Sequence, residues 1–491
     1  MKRIGTFLLL LALLAPAAVS CAQETAQEKE QPQTTLPEET VGEGETELVY
    51  PRETEAYDGL TFNILNCSSS LGWPGSNHIM DYEETTGNPV EDAVYNRNRR
   101  VEEKLGITLH VIEEDYTQLL SKLGITVQSD EAAYDVAYVP LAFLGSTSLS
   151  GIYAYNLYEV DGVHFEDPWW NPTFAESAVL KGNRLYALID YANLMGYAYG
   201  NVMYFNQDMM KNHNLELPYD LVRSGEWTYD RMYEYMQAVV NLNGDSSFKI
   251  RRDGSCIYGY GVMHEEGTMT LVDGCGEFLI SRDADGMPIL NESLERLSEV
   301  YDRVGEILSG DGYCVMQNTA DLSSATIFSQ GRALFLQTAL GASGSQSYRA
   351  IDFTYGILPM PKYEAAQSRY YTMVSQYTLS MVVPLTCADP GRTGHIMDYL
   401  EFYTYKNVIP TLQDELCYKG MRNNDSIDMF NIILDTSTLD IGYMFSWTSE
   451  LVNKLSGQVC KGKVRFASSF ASEKEKILSK IDRLMEDERF S

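Results

Sequence analysis

Aromatic side chains near predicted strand ends are the residues of this sequence best suited to bind a ligand. Trp73 lies in a loop rich in Gly, Ser and Pro just after the strand predicted at 60–65, and Tyr138 lies near the end of the strand predicted at 134–139. A Trp or Tyr ring offers a flat apolar face together with an N–H or O–H group. That combination suits binding of a polar, ring-shaped molecule, although Trp73 can equally be a structural anchor of its loop.

Motifs for catalysis, cofactors and metals are missing from the sequence. The chain has no P-loop, no dinucleotide-binding glycine pattern, no H-E-x-x-H motif and no G-x-S-x-G elbow. It has 6 His, and the run His264, Glu265, Glu266 lacks the second His of a zinc motif. The segment 283–286 has its Gly too early for an EF-hand and is typical of a β-turn. We therefore expect no enzyme, no cofactor and no metal site.

Composition and charge favour a globular protein that does not bind nucleic acid. The 491 residues are 44% hydrophobic and 22% charged, which suits roughly three domains or two larger lobes. The 69 acidic and 37 basic residues give a net charge of −32. Such a surface repels nucleic-acid phosphates and anionic lipids, and no basic patch compensates for it.

The N-terminus has the pattern of a secretory signal. Lys2 and Arg3 precede an apolar run at 4–14 that is too short to span a bilayer. The segment from Ala17 to Cys21 resembles a bacterial lipobox, which predicts a signal peptide at 1–20 and a lipid on Cys21. An ordinary signal peptide that contains a Cys is the alternative. Residues 21–50 are acidic and polar, which predicts a disordered tether to the outer face of the cell membrane.

Cysteine spacing gives no redox or zinc motif. Besides Cys21, seven of the 8 cysteines remain, an odd number that cannot all pair within the chain. Cys256 and Cys275 could bridge within one region, or all seven could be small buried apolar residues.

The first part of the folded body has the pattern of a parallel α/β sheet. A strand at 60–65 is followed by a helix that Asn88 caps, with Glu91 at the capping-box position and Gly106 at its end. Strands at 107–112 and 134–139 follow, separated by a weaker helix at 116–123. This β-α-β-α-β order predicts a parallel sheet with ligands beyond the carboxyl ends of its strands.

Further elements are predicted along the rest of the chain. Trp169, Trp170 and Trp227 are expected to pack in the interior, and a capping box at Ser472 and Glu475 predicts the start of the last helix. The remaining patterns predict strands at 184–189, 333–336, 355–361 and 377–384, and helices at 206–212, after the Thr228 cap, and at 294–308.

Several separated segments, in order, resemble the extracellular solute-binding proteins of ABC transporters, a group with many carbohydrate-binding lipoproteins. None of the segments is specific alone, and the ordered set carries the resemblance from about residue 60 to the C-terminus. The segments are the lipobox, the strand 60–66, the helix and strand 88–111, the Tyr-Asp-Val at 134–136, the blocks 202–206, 217–218 and 225–230, and the strands 328–335 and 355–361.

The resemblance implies an α/β, two-lobed periplasmic-binding-protein-like fold in which a hinge closes the lobes over a ligand cleft. It implies a first lobe of 55–188 plus 337–385 and a second lobe of 189–336 plus 386–491. It also implies a monomer that captures an oligosaccharide and delivers it to the membrane subunits of an ABC permease.

The resemblance also suggests which side chains reach the ligand. A sugar cleft needs aromatic faces for C–H groups and amides or hydroxyls for sugar hydroxyls. Besides Trp73 and Tyr138, the predicted ligand-binding residues are Tyr197, Tyr199 and Asn201 at the first crossing, Gln337 and Thr338 at another crossing, and Trp447 before a late helix.

Other functions stay open at this point. A peptide or a cationic small solute would be an alternative ligand, and a surface adhesin or sensor would need no permease. A secreted glycan hydrolase would need two facing carboxylates about 5 to 9.5 Å apart, which the sequence does not reveal.

Overall fold

The computed structural model describes residues 48–68, 79–141, 154–262, 265–291, 294–316, 322–375, 377–421, 424–459 and 461–486. Tyr50–Ser491 forms one compact unit. The predicted signal peptide at 1–20, Cys21, most of the tether and Trp73 lie outside the described residues. Within the described ranges, no helix combines the length and apolar character needed to cross a bilayer.

A four-stranded sheet organises the first lobe, and it confirms the predicted parallel arrangement. β1 pairs in parallel with both β2 and β3, while β12 adds an antiparallel strand through the pairing of Leu379 with Pro140. The strand order is β12-β3-β1-β2. Its strands are β1 (Leu60–Cys67), β2 (Ile107–Glu114), β3 (Val136–Pro140) and β12 (Leu379–Val382).

The helix α1 (Pro89–Leu105) begins and ends where the sequence predicts. Asn88 Oδ1 accepts the Val90 N–H at 3.1 Å, and Gly106 ends the helix with a left-handed φ of 61°. The capping box differs from the prediction, because the Glu91 carboxylate accepts from the Asn88 side-chain amide rather than from its backbone. The Asn88 N–H instead donates to Thr86 Oγ1 at 3.2 Å.

A five-stranded mixed sheet organises the second lobe. Its order is β10-β4-β9-β5-β8. The predicted strand at 333–336 is confirmed as β9, and the one predicted at 355–361 is confirmed as β10 but ends at Leu358. β5 lies within a stretch that has no strand pattern, because Gly alternates with its apolar residues; a Cβ on Gly259 would meet Met236 at 2.9 Å. The strands are β4 (Asn201–Asn206), β5 (Tyr258–Val262), β8 (Cys314–Met316), β9 (Ala333–Ala339) and β10 (Tyr355–Leu358).

Two small sheets complete the strands of the described residues. β6 (Ile280–Arg282) and β7 (Pro288–Leu290) form a hairpin, and β11 (Thr372–Met373) pairs in parallel with β13 (Ser437–Thr438). The hairpin turn confirms the predicted β-turn, since the Gly286 N–H donates to the carbonyl of Asp283 at 3.0 Å.

Helices cover both sheets. The last one begins at Phe466 rather than at the predicted capping box, because the Ser472 hydroxyl donates to the Ser469 carbonyl inside the helix. Besides α1, the helices are α2 (Tyr116–Gln128), α3 (Pro172–Ala178), α4 (Met195–Ala198), α5 (Gln207–Asn212), α6 (Tyr219–Arg223), α7 (Tyr229–Val239), α8 (Glu265–Asp273), α9 (Glu295–Ser309), α10 (Ser324–Ser329), α11 (Gln346–Arg349), α12 (Pro390–Tyr403), α13 (Ile409–Gln413), α14 (Asp425–Asp435), α15 (Ile441–Met444), α16 (Ser449–Val459) and α17 (Phe466–Met485).

The predicted interior role of three Trp residues is confirmed. Trp169 and Trp170 are buried, and both indole N–H groups donate to Asp398 Oδ1, at 2.8 and 2.6 Å. Trp227 is fully buried, and its indole donates to the Pro359 carbonyl. Asp398 therefore ties α12 to the segment that precedes α3.

These contacts correct the predicted lobe boundaries after residue 337. β10 pairs with β4 in the second sheet, although the prediction assigns 337–385 to the first lobe. α12 packs against α1 and the Trp169 segment in the first lobe, although the prediction assigns 386–491 to the second. The periodicity of a sequence identifies elements but not their partners. The prediction therefore returns the chain to the first lobe at 337, whereas in the structure it returns near 375–379.

The predicted alternatives for cysteine are resolved for the described residues. Cys256 and Cys275 do not pair, and both are buried as free thiols. Cys67, Cys387 and Cys417 are likewise buried as free thiols.

Candidate functional site

Neighbouring strands join the two lobes and form a hinge. Gly200 bridges to Val374 in antiparallel fashion, and β11 beside it pairs with β13. On the other side, Asn201 at the start of β4 pairs with Ala339 at the end of β9. The hinge therefore has the spatial order β13, β11, start of β4, end of β9.

The chain that follows β11 enters the first lobe at the carboxyl end of β3. The Leu141 N–H donates to the Thr378 carbonyl at 3.0 Å, and Leu379 pairs with Pro140. Ligands of open α/β sheets bind beyond such strand ends. The chain that follows the ends of β1, β3, β5 and β8, at 69–78, 142–153, 263–264 and 317–321, lies outside the described residues, and with it Trp73.

Tyr138 supports the hinge from beneath. It is fully buried at the end of β3, and its hydroxyl donates to Asp190 Oδ2 at 2.5 Å. Burial raises the pKa of Tyr138, which keeps this hydroxyl protonated as a donor. The structure leaves no part of its ring exposed to the cleft.

Two buried carboxyl groups and one buried guanidinium fix the start of the first crossing. The Glu401 carboxylate accepts the Tyr191 and Ala192 N–H groups at 2.9 and 2.8 Å, and Arg97 Nη1 donates to the Ala192 carbonyl at 3.0 Å. Burial raises the pKa of Asp190 to about 7, and burial together with the Asp190 charge raises the pKa of Glu401. Burial therefore favours the protonated form of both carboxyl groups, whereas the Arg97 charge opposes it.

Tyr197 and Tyr199 pack inside the hinge. Each is 1% exposed. The Tyr197 ring stacks on Phe430 with centroids 6.4 Å apart, and the Ser375 N–H donates to the Tyr199 carbonyl at 3.1 Å. Both rings face protein neighbours in this conformation.

Asn201 and Gln337 are brought together on the second-lobe side. Gln337 Nε2 donates to Asn201 Oδ1 at 2.7 Å, and Asn201 Nδ2 donates to the Met373 carbonyl at 3.1 Å. Gly267 of α8 passes directly over this pair, since a Cβ there would lie 2.4 Å from Gln337 Oε1. Thr338 is half-buried on the next position of β9, paired with Val202.

Trp447 lies apart from the hinge amides. It is 5% exposed and stacks on Phe445 with centroids 4.9 Å apart. Its backbone N–H donates to the carbonyl of Gly442, and Gly442 in turn lies close to Ile280 of the β6–β7 hairpin.

Tyr377 is a candidate that sequence reasoning missed. It lies in the hinge strand at the end of β3 and is 40% exposed, whereas Tyr138, Tyr197 and Tyr199 are buried. Its N–H donates to Ser375 Oγ at 3.3 Å. The predicted boundaries placed 377 inside a first-lobe strand, so the available signal, an aromatic residue in a hinge strand, was not recognised.

A cavity of about 390 Å³ lies between the lobes beside β13. It is bounded by α3 of the first lobe and by the β6–β7 hairpin of the second, and none of the predicted ligand-binding residues lines it. Within the described part of the chain, no cluster of His, Cys, Asp and Glu could hold a metal ion.

Comparison with known proteins identifies the fold. The sequence matches no protein-family model, and no curated protein is significantly similar to it. Among solved structures, it is similar to a cyclic α-maltosyl-1,6-maltose-binding protein from Arthrobacter globiformis, with a TM-score of 0.57 and 10% identity over 87% of this chain and 100% of that one.

Two further structures give the same result. A cyclo/maltodextrin-binding protein complexed with maltotetraose has a TM-score of 0.54 and 15% identity, over 87% of this chain and 98% of that one. An ABC substrate-binding protein from Listeria monocytogenes, in complex with cycloalternan, has a TM-score of 0.50 and 11% identity, over 88% and 100%. The chain therefore has the two-lobed, periplasmic-binding-protein-like fold of these solute-binding proteins, as the resemblance in its sequence predicts.

Proposed function

We propose that this protein is the sugar-binding component of an ABC importer, which captures an oligosaccharide between its two lobes. The fold supports this proposal, because solved proteins of this fold carry maltotetraose and cycloalternan. A second support is the absence of catalytic motifs in the sequence, which favours capture over turnover.

The observation that carries the proposal is the exposed Tyr377 ring at the hinge. An aromatic face at the carboxyl end of β3 suits the C–H surface of a sugar, and half-buried Thr338 at the end of β9 can bind hydroxyl groups. In the proposal, Tyr138, Tyr197 and Tyr199 hold the hinge beneath the ligand. Trp73, Asn201, Gln337 and Trp447 stay predicted ligand contacts.

The two carboxyl groups at the hinge are buried and already hydrogen-bonded, which disfavours a hydrolase. Asp190 and Glu401 are 1% and 0% exposed, and their oxygens already accept hydrogen bonds from Tyr138, Tyr191 and Ala192. A glycosidase needs two carboxyls that flank a substrate bond. We therefore expect binding without release of cleaved sugar.

The thermal unfolding of the full chain, with and without candidate sugars, tests the proposal. A ligand at about a hundred times its dissociation constant adds about 2.7 kcal/mol to the free energy of unfolding. We expect maltooligosaccharides or cyclic glucans to raise the unfolding temperature, and Tyr377→Ala to weaken binding at least tenfold. Tyr158→Ala is the matched control, because Tyr158 is 41% exposed in the first lobe and lies away from the hinge.

Other outcomes of this experiment point elsewhere. A shift with peptides or polyamines alone would favour a receptor for those solutes. A broad panel without any shift would favour the adhesin or sensor alternative, and released product would favour the hydrolase.

The lipid anchor and the permease partner complete the proposal. The lipobox supports a lipid on Cys21, and it would hold the binding lobes at the outer face of the membrane through the acidic tether. Metabolic labelling with a fatty acid tests this, with Cys21→Ser as the variant that should lose both the label and membrane retention. Labelling that persists in this variant would contradict the anchor.

A further inference from the structure

The cavity beside β13 is separate from the hinge region where the cleft ligand is proposed to bind. Three strand spacings separate β13 from the end of β9 across the hinge, roughly 14 Å. In the second lobe, the helix α8 follows β5 and is roughly 13 Å long. Gly276, which lines the cavity, comes after this helix. The cavity is thus a pocket of its own, with walls from both lobes.

An aromatic platform forms one wall of this cavity. The Phe278 and Tyr371 rings meet edge to face, with centroids 6.1 Å apart and an angle of 80°. Both side chains are half-buried. Gly276 lets the Tyr371 ring lie against the backbone, since a Cβ there would be 2.1 Å from the ring. The pair holds the two rings in fixed positions and offers apolar aromatic surface, chiefly of Phe278, to a ligand.

Two guanidinium groups without carboxylate partners flank the platform. Arg369 lies 4.7 Å from the centroid of the Tyr371 ring, and in the described part of the chain it forms no ion pair. Arg282 donates from Nε to the Val179 carbonyl at 2.6 Å and from Nη2 to the Ser177 carbonyl, and among the described residues it also has no carboxylate partner. The neighbouring Arg296, in contrast, pairs with Glu277 at 3.2 Å.

The acidic groups of the cavity do not cancel this charge. Glu277 is paired with Arg296 at 3.2 Å, which leaves Glu176 as the acidic side chain on this wall without such a partner. Thr173 and Asn291 add a hydroxyl and an amide to the lining. The walls together suit a ring with C–H faces, several hydroxyl groups and one carboxylate.

We propose that this cavity is a second binding site, for a small acidic saccharide of one or two uronic acid units. Its volume of about 390 Å³ lies in the range of small-ligand pockets. Arg369 binds the carboxylate, the Phe278 and Tyr371 platform binds the ring face, and Asn291 and Glu176 bind hydroxyl groups. A ligand here bridges α3 of the first lobe and the β6–β7 hairpin of the second.

Calorimetric titration of the full chain with galacturonate tests the proposal, with galactose as the neutral counterpart. We expect one galacturonate per chain, at least tenfold weaker binding of galactose, and at least tenfold weaker galacturonate binding in Arg369→Gln. Arg303→Gln is the matched control, because Arg303 also lies over a Tyr ring, 5.3 Å from the centroid of Tyr233, but outside the cavity. No galacturonate binding, equal binding of galactose, or unchanged binding in Arg369→Gln would each overturn the proposal.

A second variant separates this site from the cleft. Galacturonate binding should persist in Tyr377→Ala, while binding of a neutral oligosaccharide should persist in Arg369→Gln. If Tyr377→Ala abolishes both, galacturonate occupies the cleft and the second site is wrong, although the proposed function stands. If no neutral oligosaccharide binds but galacturonate binding depends on Arg369, the cleft proposal fails and the second site stands.

Discussion

The first hinge segment, residues 190–201, is fixed by charged groups at one end and by neutral amides at the other. At the first-lobe end, Arg97, Asp190 and Glu401 are between 0% and 2% exposed. At the second-lobe end, the Gln337 amide donates to the Asn201 amide. Buried charges are costly to separate, whereas an amide hydrogen bond exchanges for water at little net cost. We therefore expect the hinge to bend at its second-lobe end.

Arg97→Met should have the largest effect on stability. The variant leaves two carboxyl groups buried without their cation, and it also leaves the Ala192 carbonyl without its donor. Loss of one partner from a buried ionic group costs about 3–5 kcal/mol in the free energy of unfolding. Urea unfolding measures this loss.

Arg99→Met is the control for that variant. Arg99 lies on the same helix α1, is 37% exposed and pairs with Asp81 at 2.9 Å. Exposed ion pairs contribute about 0–1 kcal/mol. Equal losses in the two variants would show that the buried charges do not hold this end of the hinge.

Stability should also depend on pH through Asp190. Its folded pKa of about 7 lies above its ordinary value of 3.8, because burial disfavours the charged form. The stabilising contribution of the protonated carboxyl is therefore complete below about pH 4 and is lost as the pH rises through about 7. Asp190→Asn should gain about 4 kcal/mol relative to the wild type between pH 4 and pH 8.

Urea unfolding across that pH range measures the difference. Asp302→Asn, on the exposed surface of α9, controls for the removal of one negative charge. A constant difference between Asp190→Asn and the wild type would contradict a proton held at this end of the hinge.

The separation of interacting residues along the chain explains which parts of the fold the sequence could predict. α1 was predicted from Asn88 to Gly106 because its caps and its buried face of Val90, Val94, Val101 and Leu105 are local signals. The parallel arrangement of β1, β2 and β3 follows from the helices that connect them, and the β-α-β-α-β order predicts it. Local chemistry is sufficient where partners are close in sequence.

The hinge could not be predicted in the same way. Arg97 and Glu401 both bind the Ala192 backbone although about three hundred residues separate them, and no periodicity marks either as buried. The charged character of both residues favours the surface. β5 was missed because glycines at 259 and 261 conceal its strand pattern, and Tyr377 was missed because the predicted first-lobe strand at 377–384 included it.

Gln337→Ala, at the second-lobe end of the hinge where neutral amides meet, should have the smallest effect on stability. The variant removes one amide hydrogen bond, which costs about 0.5–1.5 kcal/mol, and the loss should be the same at pH 4 and pH 8 because no proton is involved. Gln207→Ala is the matched control, a buried amide of the second lobe that donates to the Tyr219 hydroxyl at 3.0 Å. We expect similar losses of stability, with weaker binding of the cleft ligand only in Gln337→Ala. A loss that changed with pH, or that matched Arg97→Met, would mean that both ends are held alike and that the hinge does not bend where the amides lie.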